Sequence, residues 1–436
     1  MANQYKWITW LQARQALAAR LADPGMVFWA DAELKLYLCE ALRVWNALTE
    51  VFNADFAYTA TAASTWYNLG TLALSPRLRT LTDSVLYQQM QYMLLEPPTG
   101  GGAWTGTQQF SLADLQGALQ TARDEVIQAS GCNLAQLPPL SSTPNVRRTV
   151  FADSTLEPRR ARWKPDSGSP VTLSREDTLA FDAFETGHLQ TPRTPSAWSV
   201  ITGPPLAFDV DTAPTVPGAY DVISLQAGAN LVPPAATLLN LPDDWAWVAR
   251  WGALAELLGR DSEATDRQRA DYCLKRYEMG MEIMKQANWL LTATIGGVPC
   301  DTPSVREMDA WGPEWEISPT AWPGLVTAGM DFCAPCPVAT GAQSIGVSMI
   351  VVGNAVIPVL DADFVQASRD TFDEILNYAQ VLASFKMGGE EFAATRPLEQ
   401  SFFKAAQETN SRLAKCGLFS DVIRGEGQRQ NKAQPR

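Results

Sequence analysis

The stretch LPDDWAWVARWGALAELLG, residues 241–259, sets three tryptophans within seven residues directly behind a Pro-Asp-Asp step. Two aspartates beside clustered indoles could form a binding cleft with paired acid/base carboxylates, or they could open a helix packed into a core. Periodicity decides. Trp247, Trp251, Leu254 and Leu258 recur at helical spacing on one face, and Gly259 is placed to supply a left-handed stop. Asp243 and Asp244 then occupy the first turn, where carboxylates accept hydrogen bonds from unpaired amides and complement the helix dipole, worth about 0.5–2 kcal/mol. Trp245 falls off the stripe. That marks it for contact with a β segment or a neighbouring subunit, so its loss is expected to impair assembly more than folding.

Outward from this stretch, a second helix starts near Asp266, with Ala270, Cys273, Leu274, Tyr277, Met281 and Met284 as its stripe. Two helices joined by a short polar turn make an αα-hairpin whose faces something else must cover. A third helix, TFDEILNYAQVLASFKMGG (371–389), carries Phe372, Ile375, Ala379, Leu382 and Phe385 to a Gly-Gly stop, and Pro397 suits the start of a fourth. Near the amino end, Asp31 can cap a helix with Leu34, Leu38, Ala41, Trp45 and Leu48 on one stripe. A weaker helix spans Arg79 to Leu95, and Ser111 with Asp114 forms a capping-box pattern before Leu115, Leu119, Ala122 and Val126. Two other regions, punctuated by Pro and Gly, contain short runs such as AWSVITG, YDVISLQA and SIGVSMIVVG that read as antiparallel strands.

The expected fold class is therefore α+β: a helical core with a long αα-hairpin and a C-terminal helix pair, plus antiparallel β insertions. The boundaries fall at 1–137 (mainly helical), 138–240 (β-rich insertion), 241–289 (helical hairpin), 290–362 (second β-rich insertion), 363–423 (C-terminal helices) and 424–436 (basic tail).

Chemistry is thinly represented. The single histidine, His188, sits in a loop pattern without a partner nucleophile assignable from spacing. Cys333 and Cys336 form a C-x-x-C, but no second pair accompanies them as a zinc site would require, and the strand-helix setting of a redox pair is missing. PPTGGGAWTGTQQF (97–110) is glycine-rich without the Gly-Lys-Ser/Thr ending of a phosphate loop. No catalytic residue, metal or cofactor is expected. Seven cysteines, an odd number with several in helical apolar patterns, read as reduced and mostly buried thiols.

A formal charge of −13 gives no counterion-release drive for binding nucleic acid. Only the end runs the other way, with Arg424, Arg429, Lys432 and Arg436 against Glu426. The amino end lacks the pattern of a signal peptide, and no stretch reaches about 18 uncharged apolar residues, so the chain is expected to be unexported and untethered to membrane.

Three stretches carry a resemblance. They are FWADAELKLYLCEALRVWNALT (28–49), then WSVITGPPLAFDVDTAPTVPGAYDVISLQAGANL (198–231) running into the Pro-Asp-Asp helices (241–284), and finally ILNYAQVLASFKMGGEEFAATRPLEQSFFKAAQETNSRL (375–413). Their succession resembles the head-to-tail adaptor, or connector, proteins of tailed bacteriophages. The chain is longer than small adaptors, through its β segments. The resemblance implies a virion structural protein of the neck, assembled in the host cytoplasm as a ring typically of twelve subunits. Such a ring docks under the portal protein, meets a tail or nozzle protein below, and passes genomic DNA without binding it specifically. It places Trp245, Trp247, Trp251 and Tyr277 at or near subunit contacts and docks the basic tail on a neighbour or on the portal. Another tail component, or a carbohydrate-binding virion protein using the tryptophans, would be the rival readings.

Overall fold

The computed structural model describes residues 5–62, 64–72, 78–95, 109–168, 170–177, 192–232, 236–260, 266–287, 289–312, 315–316, 324–339 and 344–410. Its helices are α1 (Trp10–Arg20), α2 (Asp31–Thr49), α3 (Asp83–Met93), α4 (Leu112–Ser130), α5 (Ala246–Gly259), α6 (Arg267–Gln286), α7 (Val305–Trp311), α8 (Arg369–Phe385), α9 (Gly389–Ala394) and α10 (Arg396–Thr409). Mixed with them are mostly antiparallel sheets, so the chain is of the α+β class.

Local side-chain caps account for half of these helix starts. Thr9 with Gln12, Ser111 with Asp114, and Ser304 with Glu307 each form a reciprocal capping box, while Asp266 and Ser368 accept from the amide three residues on. Gly131 at φ 68° closes α4 in the left-handed conformation. Three expectations are corrected. Asp31 does not cap α2; Ala30 holds that position with no side-chain bond, because the Asp31 carboxylate turns to Arg14 instead. Gly259 is the last residue of α5 and Arg260 beyond it is extended, so no left-handed stop forms. Leu274 on α6 is exposed, and the buried face of that helix runs through Ala270, Cys273, Arg276, Tyr277, Gly280, Ile283 and Met284.

One large core joins α1–α6 and α8–α10. At its centre lies α5, whose residues from Ala246 to Trp251 are all buried, as are Ala253, Leu254, Leu257 and Leu258. A helix whose first turns are buried all round is enclosed there by its neighbours, and only its end, at Glu256 and Gly259, reaches solvent. Its glycines set the approach of those neighbours: a Cβ on Gly252 would lie 2.9 Å from the Tyr277 ring of α6 and from Ala122 Cβ of α4, and one on Gly280 would meet Val248 at 2.8 Å. Alanine at an ordinary helical glycine gains about 1 kcal/mol, but forced overpacking costs about 1–3 kcal/mol. Gly252→Ala is therefore expected to lose about 1 kcal/mol or more in urea unfolding, and a gain would show that α4 and α6 can separate freely.

Among the described residues the strands form four sheets, two of which join strands from distant parts of the chain. The first is β1 (Asn53–Thr61), β16 (Ser344–Val352), β12 (Leu290–Ile295) and β13 (Val298–Cys300), in that order. Its inner face, Phe56 and Ala60 with Val347, Met349 and Val351, packs on a smaller sheet of β14 (Gly324–Ala328), β15 (Phe332–Cys336) and β2 (Tyr67–Asn68). The region read as a second β insertion is thus completed by strands from the mainly helical amino-terminal region. The third sheet joins β3 (Leu134–Gln136), β11 (Gly218–Gln226), β6 (Thr155–Pro165) and β7 (Val171–Thr172), with β4 (Leu140–Ser142) also on β11. A fourth contains β5 (Arg148–Val150), β10 (Ala207–Val210), β9 (Ala197–Ile201) and β8 (Ser174–Arg175), where the short β8–β9 pairing is parallel rather than antiparallel. Trp163, Trp198, Phe208 and Tyr220 fill the core between these last two sheets.

Candidate functional site

The expected interface residues lie inside. Trp245 is 0% exposed, and Trp247, Trp251 and Tyr277 are also buried. Trp245 stacks towards Trp247 at 6.4 Å between ring centroids, and Trp251 meets Phe385 edge-on at 5.2 Å. The Tyr277 hydroxyl donates to Glu125 of α4 at 2.7 Å. A tryptophan off the apolar stripe still faces this chain's own core, because the 3-10 turn that carries it and the start of α5 are buried throughout, and exposure begins only near the helix end at Glu256. Arg424, Arg429, Lys432 and Arg436 lie outside the described residues, as do His188, Cys416 and most of the glycine-rich stretch.

The two aspartates are clamps between segments and not caps. The carboxylate of Asp243 accepts from the Thr80 amide (2.7 Å), the Thr80 hydroxyl (2.6 Å) and the Leu81 amide (2.9 Å). Asp244 accepts from the Asn46 side chain at 2.6 Å and from the Ala355 amide at 3.0 Å. Pro242 occupies the cap position of the short 3-10 turn that they begin, with no side-chain capping bond. Both carboxylates are buried with their oxygens engaged, which leaves no room for acid/base work on a substrate.

Charged groups are buried around the same helix. Arg250 forms a two-pronged pair with Glu40 of α2, its second nitrogen 2.5 Å from the carboxylate, and rests 4.6 Å over the Trp251 ring. Burial lowers the Arg250 pKa to about 10. Arg276 of α6 reaches the Tyr378 hydroxyl at 2.5 Å and Glu399 at 3.3 Å, and Tyr272 donates to the same carboxylate. These pairs fix which helices meet. They line neither of the two cavities described below.

Cys333 and Cys336 stand three apart on β15, so their side chains point to opposite faces of the strand. Cys333 packs between the β1 and β14 sheets beside Tyr58, while Cys336 packs with Met308 and Trp315. They cannot share a metal ion or close a disulfide. Burial pushes their thiols up, to about 12 and about 11. Among the described residues no three His, Cys, Asp or Glu side chains are grouped to hold a metal ion, and no helix is long and apolar enough to cross a membrane.

Three features reach the surface. One is a cavity of about 550 Å³ between α2, α8 and the end of α10, walled by Leu42, Trp45, Phe52 and Ile375. Another is a cleft of about 800 Å³ where α4, α7 and the β6–β9 sheets meet, with Arg159, Arg160, Arg175 and Lys285 at its walls. Its cations are already matched, Arg160 to Asp309 and Glu316, Arg159 and Arg175 to Glu157, and Lys285 to Glu282.

The third is a set of two exposed apolar pairs, on separate loops, that sequence reading missed. Val27 and Phe28 are 89% and 53% exposed, and Val359 and Leu360 are 82% and 66% exposed. Each pair is held by an aspartate that accepts from its own backbone amides: Asp23 from Val27, Phe28 and Trp29, and Asp363 from Val359 and Leu360. Those amides also hold the Asp23 carboxyl below its usual pKa. Arg14 ties the two loops together by pairing with both Asp31 and Asp361. The signal was present in GMVFWAD (25–31) and IPVLDAD (357–363), where apolar residues precede an aspartate outside any helical period.

No protein-family model matches this chain, and no curated protein sequence matches it.

Proposed function

We propose that this chain is a non-enzymatic virion subunit, a head-to-tail adaptor that forms a ring beneath the portal of a tailed phage. The helical hairpin from Asp243 to Met284 and the C-terminal helix pair act as its frame, the basic tail docks on a neighbour or the portal, and an acidic surface lets DNA pass unbound. The observation that most supports an assembly role is the bracing of the exposed apolar pairs Val27–Phe28 and Val359–Leu360. Exposed apolar groups already fixed in place lose little entropy on docking, which suits a contact with another protein.

The test uses the full chain with the portal protein of the same phage, read by mass measurement and negative-stain imaging. Val27→Asp with Phe28→Asp is expected to weaken ring formation or portal attachment at least tenfold while leaving the melting temperature essentially unchanged. Rings that form equally well with both substitutions would remove the Val27–Phe28 loop from the interface. A chain that forms no ring and attaches to no portal at any concentration would remove the adaptor role itself.

A further inference from the structure

The cavity between α2, α8 and α10 opens where the described chain stops. Thr409, the last residue of α10, lines it, and the Asn410 side chain donates to the Leu48 carbonyl at 3.0 Å, which fixes the exit of the chain to the end of α2. Apolar surface faces the opening: Val51 and Val356 are both exposed, above a floor of Leu42, Trp45 and Ile375. Residues 411–436 follow, SRLAKCGLFSDVIRGEGQRQNKAQPR. Their composition breaks after Ile423: Leu413, Leu418, Phe419, Val422 and Ile423 lie before the break, whereas alanine and proline are the least polar residues in the basic stretch after it.

We propose that the cavity is the docking site of the chain's own segment 411–423, with Leu418 and Phe419 seated against Trp45 and Ile375. Seven or eight residues lie between Asn410 and this pair and span up to about 30 Å when extended, ample to enter a cavity whose wall begins one residue away. Attachment at the rim gives the segment an effective concentration in the millimolar range, which favours it over a second copy. Burial of Leu and Phe side chains supplies the drive. The docked segment holds the base of the basic tail at a fixed point on the surface. This goes beyond the adaptor reading and holds for the isolated chain whether or not a ring forms.

Hydrogen exchange on the intact chain tests it. Amides 417–423 are expected to exchange at least tenfold more slowly than in a free peptide of the same sequence, with protection unchanged on dilution and unchanged on deleting 424–436. Val356→Trp, which fills the opening from a solvent-facing position, should abolish that protection and leave α2 and α8 protected. Leu418→Asp with Phe419→Asp should do the same. Free-peptide rates in the intact chain overturn the proposal. So does protection that falls on dilution, which assigns the cavity to a second copy, or protection that survives Val356→Trp, which seats the segment elsewhere.

Discussion

Glu40→Ala is expected to lower the unfolding free energy by about 3–5 kcal/mol, because it leaves the Arg250 guanidinium buried without its carboxylate. Arg250 is fully buried where α5 meets α2 and α3, and the Gln89 side-chain carbonyl at 3.3 Å is its only other hydrogen-bond acceptor among the described residues. A neutral amide cannot compensate a full charge in that setting. The pair itself contributes less than its removal costs, since desolvation offsets most of the attraction. Glu40→Leu combined with Arg250→Met is therefore expected to recover most of the loss. Urea unfolding of the two variants checks both statements; a single-variant loss below about 1 kcal/mol would show that water reaches the guanidinium.

Trp245→Ala is expected to cost about 3–5 kcal/mol as well, the range for deleting a fully buried indole. The effect falls on folding first. Its ring touches no solvent, packs towards Trp247 and sits directly after the aspartates that clamp Thr80 and Asn46. Unchanged urea stability together with lost assembly would reinstate the surface role that the periodicity argument gave it.

How far the sequence could be read depends on whether its signals were local. The stripes of α2 and α8 are buried at every position named for them, and the Ser111–Asp114 box forms as its spacing dictates. These are contacts within three or four residues. What failed was long-range. Asp31, Asp243 and Asp244 all sit where a cap would be useful, yet each meets a better partner brought in by the tertiary fold, Arg14, Thr80 and Asn46 respectively. Strand β1 alternates Phe56, Tyr58 and Ala60 towards the interior, a period-two signal in the sequence, but its partner lies near the far end of the chain. The exposed apolar pairs were legible only as residues that fit no helix or strand, and the cavity between α2, α8 and α10 needed the packing of three helices to exist at all.

That β1–β16 pairing also governs the order of events at the ribosome. Asn53 opposes Val352 and Thr61 opposes Ser344, so β1 emerges almost 300 residues before its partner. At about 5–20 residues per second, this strand waits roughly 15–60 s for the strand that covers it. For that interval NADFAYTAT, which has no proline or lysine to protect it, is open to pairing with the same strand of another nascent chain. Yield from a heterologous host should therefore improve with slower initiation, which spaces ribosomes and keeps unfinished copies apart.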